Sequence, residues 1–224
     1  MARGPEPAHD GDMTRHFRDR ADAGRRLVAR LEHLRGREGL IVLGLPRGGV
    51  VVAAEVAHEL AAPLDVLVVR KLGFPGHEEL ALGAVATGGA IVINDDVLAV
   101  AGLDEAELQR QATARLAVVQ EMEQRLRGDR PPLDLAGRPV VLVDDGLATG
   151  ATMRVAAVAS RRAGASEVVV AAPVASPEGV RSLEGLTDDI ICVDVPVHLR
   201  AVGLSYRDFT AVGEDEVRRL LQSF

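Results

Sequence analysis

The chain has 224 residues, a formal net charge of −7, and a composition that is 47% hydrophobic and 26% charged. That is enough apolar material for one sizeable core and too little charge for a disordered chain. The acidic balance argues against a general nucleic-acid binder, which relies on a strong basic field, but leaves room for an anionic small molecule, because a few cations and backbone amides suffice locally.

Residues 1–13 mix Pro, Gly and charge without periodicity and read as a loose tail, with 14–224 as a single domain. The tail lacks the apolar run of a secretory signal, and no stretch supplies the roughly 20 apolar residues of a membrane span. A cytoplasmic protein with no membrane association is expected. Phe17, Ala21, Leu27, Val28, Leu31 and Leu34 recur at helical spacing and predict an amphipathic first helix. Its arginines alternate with Asp19, Asp22, Glu32 and Glu38 and read as an ordinary solvated face. Almost wholly apolar runs follow at 40–45, 64–69, 140–143, 168–172 and 190–193, as strands covered on both faces must be. Helical stretches at 50–60, 152–162 and 177–183 lie between several of them, so the class is α/β, a parallel sheet with right-handed crossovers. Two features interrupt the alternation. One is a hairpin over 84–93 turning at Gly88-Gly89; the other is a long helix from near Asp104, where Asp104 and Glu107 fit a capping box and Leu108, Ala112, Leu116, Val119, Met122 and Leu126 mark one face. The lone cysteine, Cys192, reads as a small buried hydrophobe.

The chemistry concentrates in 140–152, VVLVDDGLATGAT. Four apolar residues deliver Asp144 and Asp145 to the carboxyl end of a buried strand, where open α/β sheets bind ligands. Ala148, Thr149, Gly150, Ala151 and Thr152 then supply small residues and two hydroxyls where the next helix starts, so its amides and dipole converge on one point. A carboxylate pair beside a phosphate cradle suits a sugar phosphate. No Gly-Lys-Ser/Thr follows and no Gly-x-Gly-x-x-Gly occurs, which removes the common nucleotide-hydrolysis and dinucleotide readings.

This string is similar to the phosphoribosyl pyrophosphate signature of type I phosphoribosyltransferases, and the resemblance extends over roughly residues 17–209. It implies that family's fold: a parallel sheet flanked by helices, a β-hairpin with a mobile loop, and a small C-terminal hood at about 195–224. Gly44-Leu-Pro-Arg-Gly-Gly49 resembles the family's pyrophosphate loop, with Arg47, Gly48 and Gly49 as contacts and a non-proline cis peptide expected at Pro46-Arg47. Arg70 and Lys71 would neutralise pyrophosphate at the start of a catalytic lid, 72–79, with His77, Glu78 and Glu79 near its tip. The implied reaction displaces pyrophosphate from phosphoribosyl pyrophosphate with a nitrogenous acceptor. Arg47 and Lys71 would stabilise the leaving group, and Asp144 and Asp145 would hold the ribose hydroxyls. Mg²⁺ is the implied cofactor, supported by these two acids indirectly, through ribose hydroxyls or water. Residues 148–152 would anchor the 5′-phosphate.

Tyr206, Asp208 and Phe209 faintly resemble the family's base-recognition hood, with core packing of Tyr206 and Phe209 an equally good account of the two rings. Ala148 stands where 6-oxopurine enzymes carry an acid, and no lysine occurs in 171–176, so hypoxanthine and guanine are disfavoured. Dimerisation is common among such folds. The alternative is a non-catalytic sensor of phosphoribosyl pyrophosphate or a nucleotide on the same fold. That reading predicts an added DNA-binding domain or a strongly basic face, and neither is evident.

Overall fold

The computed structural model describes residues 17–74, 77–93 and 105–224, without side chains for 73–82 and 105–108. The expected tail, the Asp104/Glu107 capping box and the lid-tip side chains of His77, Glu78 and Glu79 lie outside these described residues. Helix α1 (Arg20–Leu31) begins where Asp19 Oδ1 accepts the amide of Asp22 at 2.7 Å, a side-chain N-cap. Phe17, expected inside this helix, instead forms a parallel bridge with Tyr206, with its amide donating to Ser205 O at 3.0 Å. Strand β1 (Ile41–Gly44) leads into α2 (Gly48–Leu60), and β2 (Leu64–Val66) follows.

The apolar run 64–69 does not continue as one strand. After β2 the amide of Val68 donates to Thr87 Oγ1 at 2.8 Å while Thr87 N donates to Val68 O at 2.9 Å. Those bonds turn the chain out of the parallel sheet and start β3 (Val69–Phe74), which pairs antiparallel with β4 (His77–Ala86). In the segment 72–79, expected to lack regular structure, the described residues Leu72, Gly73, Phe74 and His77 are therefore paired, with irregularities between Leu72 and Gly73 and between Gly73 and Phe74. The hairpin at 84–93 forms as expected: β4 meets β5 (Ala90–Ile93) across Thr87–Gly89, where Gly88 and Gly89 have φ of 75° and 80°.

Helix α3 (Glu105–Arg127), β6 (Pro139–Val143), α4 (Ala151–Arg162), β7 (Glu167–Val174), α5 (Pro177–Arg181), β8 (Asp189–Asp194) and α6 (Glu214–Gln222) complete the fold. The main sheet has the order β2-β1-β6-β7-β8 and every pairing in it is parallel. Ile41, Leu43, Val140, Leu142, Val168 and Val170 point to the face covered by α4, while Val42, Val141, Val143 and Val169 meet α1, α2, α3 and α6. Both faces are thus dry, which is why these strands read as continuous apolar runs rather than alternating ones. Within the expected hood, α6 belongs to the main core instead: Val217 and Leu221 are buried in the same cluster as α2 and α3. Cys192 is partly buried, and burial pushes its thiol up to about 11.

Candidate functional site

The carboxyl ends of β1 and β6 are neighbours in the sheet, paired through Gly44 and Val143, so the loops that follow them meet. The peptide Pro46-Arg47 is cis, as the resemblance predicts. Arg47 is exposed at the start of α2. A Cβ at Gly48 would overlap Asp145 Oδ2, and one at Gly49 would come within 2.8 Å of Asp144 Oδ1. Only glycine lets the backbone of this loop lie directly against the two carboxylates. The structure therefore brings Gly48 and Gly49, expected at a pyrophosphate, onto Asp144 and Asp145, expected at a ribose.

Asp144 Oδ1 accepts the amide of Asp145 at 2.8 Å. Burial, and then the neighbouring Asp145, hold the Asp144 carboxyl well above the usual carboxylate range. Burial raises Asp145 as well, opposed by Arg20. Arg20 is the site residue that sequence reasoning missed, having placed the arginines of α1 on a solvated face. Its Nε donates to Asp145 Oδ2 at 2.7 Å, its Nη1 donates to Thr210 O at 2.8 Å, and its guanidinium lies 3.8 Å from the Phe209 ring centroid. With 11% of the side chain exposed, it is a largely covered cation tying three distant segments together. No local pattern distinguishes Arg20 from its neighbours.

The loop 148–152 is open. Among the described residues, no protein acceptor takes the amides of Ala148, Thr149, Gly150 or Thr152, whereas Arg154 N already donates to Gly150 O at 2.9 Å and Ala151 N makes a long contact of 3.4 Å with Thr149 Oγ1. Gly150 caps α4 with φ of 73°, and a Cβ there would overlap Ser182 Oγ. Helix α5 braces the loop from behind: Ser176 Oγ donates to Ala148 O, Ser176 N donates to Leu147 O at 2.8 Å, and Leu147 N donates to Val174 O at 2.9 Å. Free amides at a helix N-terminus, held in place by bonds through the loop's carbonyls, suit an anion. A groove of about 560 Å³ lined by Ser176, Glu178, Arg181, His198 and Arg200 opens beside this brace.

Other expected residues lie differently. Tyr206 offers no face to a base. Its ring is 1% exposed, packed 5.3 Å from Phe17 and 5.0 Å from Phe209 between centroids, and its hydroxyl donates to Asp145 O at 2.6 Å. Burial keeps that phenol protonated as a donor. Phe209 is 37% exposed, with one contact on Arg20 and its ring edge against Gly203. Asp208 is exposed and is spent on Thr210, whose amide and hydroxyl it accepts at 2.9 and 2.6 Å. Tyr206 is therefore part of the back wall of Asp145. Arg70 turns toward α3, where it meets Met122 Sδ and Val69 O, so it is not brought to the carboxylates. Lys71, the next residue on the strand and so on its opposite face, is exposed.

The sequence profile of the phosphoribosyl transferase domain matches residues 16–207. Two Mycobacterium tuberculosis proteins that carry the provisional name phosphoribosyl transferase, Rv0571c and MT0597, are each 47% identical to the chain over 201 residues, or 90% of it. The chain spans 45% of the length of each. The crystal structure of TT1426 from Thermus thermophilus has 45% identity and a TM-score of 0.83, covering 93% of this chain and 98% of that one. With an α/β architecture, paired acids and an amide-lined loop that agree with a profile covering most of its length, the chain belongs to the phosphoribosyl transferase domain family.

Proposed function

We propose that this domain transfers the 5-phosphoribosyl group of phosphoribosyl pyrophosphate to a small nitrogenous acceptor, with release of pyrophosphate. The observation that carries this reading is the open amides of Ala148, Thr149, Gly150 and Thr152, three residues and more beyond the paired carboxylates Asp144 and Asp145. In this reading the amides hold the 5′-phosphate and the carboxylates accept hydrogen bonds from the ribose hydroxyls, which fixes the anomeric carbon between the two loops. The backbone of Gly48 and Gly49, with Arg47 and Lys71, draws off the charge that develops on the departing pyrophosphate. Arg70 drops out of that set because its guanidinium is engaged on α3.

The acids fit Mg²⁺ in kind. They are hard oxygen donors, the kind of group taken by an ion which keeps water and substrate oxygens in its shell. Held by Asp144 and Asp145 indirectly, through ribose hydroxyls or water, it would supply positive charge to the diphosphate. The groove between α5 and residues 197–200 is the space proposed for the acceptor. A cytoplasmic location and a homodimer complete the proposal.

The test is pyrophosphate release from phosphoribosyl pyrophosphate and Mg²⁺ across a panel of nitrogenous bases, with Asp145→Asn as control. Release with one base that is lost in the variant supports transfer. Tight binding of phosphoribosyl pyrophosphate without release from any base favours the sensor instead.

A further inference from the structure

We propose that the cavity enclosed by α3, the edge strand β2 and the β4–β5 turn is a second small-molecule site, taking a ligand with an apolar body and a primary ammonium group. The cavity measures about 410 Å³, and Leu43, Leu67, Leu116, Val119, Leu133 and Leu135 form much of its wall. Both size and lining are those of ligand pockets. It is separate from the phosphate loop: Ala159, which lines it, is eight residues beyond Ala151 on α4, about 12 Å at the helical rise. An adjoining hollow of about 370 Å³ shares Thr87, Gly88, Gly89, Ala159 and Ala163 with it, so an apolar tail has room to extend.

The charge of the lining selects the head group. Asp65 and Arg127, both buried, neutralise each other: Arg127 Nε donates to Asp65 Oδ1 at 2.7 Å and Nη2 donates to Val66 O at 2.9 Å. Asp65 also accepts the amides of Val66 at 2.7 Å and Leu133 at 3.1 Å. Asp134 accepts the amide of Ala136 at 3.0 Å. Glu123 remains. Its side chain is 12% exposed; Oε1 forms an ion pair with Arg127 Nη1 at 3.4 Å, one turn along α3, but is buried with no hydrogen-bond partner among the described residues. One arginine shared by two carboxylates, Asp65 and Glu123, leaves the mostly apolar cavity with an excess negative charge and Glu123 Oε1 without a donor, which calls for a cationic donor. An anionic ligand meets repulsion there, and a neutral one leaves the excess charge in place.

The experiment uses the full chain and two probes of matched size, 4-phenylbutylamine and 4-phenylbutan-1-ol, followed by calorimetry and by methyl NMR. The amine is expected to bind saturably, shift the methyls of Val119, Leu133 and Leu135, and exceed the alcohol by about tenfold, as a charge-assisted hydrogen bond does. Leu116→Trp or Ala159→Phe, which fill the cavity, should abolish binding of both. Glu123→Gln should bring amine and alcohol to equal affinity. Should a variant fail to fold, the N,N,N-trimethyl form of the amine serves on the wild-type chain, since it keeps the charge, loses the N–H donors and should fall toward the alcohol. Equal binding of amine and alcohol, no saturable binding of either, or binding that survives the filling substitutions overturns the proposal.

Discussion

Replacing Arg20 by Ala removes the only strong partner that the described structure gives Asp145 Oδ2. Taking away one member of a buried ion pair costs about 3–5 kcal/mol, because the remaining charge is left uncompensated. The Asp145 side chain is 17% exposed and so keeps some hydration, which lowers the expected loss to about 2–3 kcal/mol. The lost bond to Thr210 O and the stacking on Phe209 contribute to that figure at about 1 kcal/mol. For a chain of this size the loss corresponds to a fall in Tm of about 4–12 °C. The pH dependence separates electrostatics from packing. Burial holds the folded Asp145 carboxyl above its ordinary range while Arg20 opposes the shift, so the variant raises it further. An acid raised in the folded state costs stability above its folded pKa and stops costing once protonated. The gap between wild type and variant is therefore full above the range in which Asp145 takes up its proton and narrows as pH falls through that range. Urea unfolding at neutral and mildly acidic pH measures it. A gap independent of pH, or one below about 1 kcal/mol, refutes the ion-pair account of Arg20.

Other outcomes follow from the same geometry. Gly150→Ala places a Cβ on Ser182 Oγ at a φ of 73°, so it should cost about 1–3 kcal/mol and weaken the binding of inorganic phosphate at least about tenfold by calorimetry. Tyr206→Phe deletes the bond to Asp145 O and should cost about 0.5–1.5 kcal/mol, while leaving base preference unchanged in the release assay. The raised carboxyls of Asp144 and Asp145 predict that binding of phosphoribosyl pyrophosphate falls on the acid side, with its midpoint above the ordinary Asp value of about 4, as a binding titration against pH will show. Arg127→Ala strands Asp65 inside the protein, where both side chains are 8% exposed, and should cost about 3–5 kcal/mol in chemical denaturation.

The class of fold was legible because buried parallel strands write themselves as apolar runs, and the strands found at 41–44, 139–143, 167–174 and 189–194 lie on those runs. The open loop at 148–152 was legible for a related reason: small residues, a left-handed glycine and a helix start within five positions are local features, set by backbone sterics near each residue. The division of 64–69 into two strands was not legible, since it depends on Thr87 arriving to take the backbone groups of Val68. Nor was the placement of Tyr206. An aromatic ring in a C-terminal segment has the same sequence signature whether it faces a ligand or, as here, fills the space between Phe17 and Phe209.

The sequence by itself determined the α/β order, the two acids at a strand end and the amide-rich turn after them, since each is fixed by neighbours within a few residues. Only the tertiary structure decided that Arg20 would close on Asp145 across 125 positions, that Gly48 would lie against the same carboxylate, and that Arg70 would turn away. Those pairings arise from how helices dock on a sheet, and docking is set by the shape of the whole core rather than by any stretch of chain.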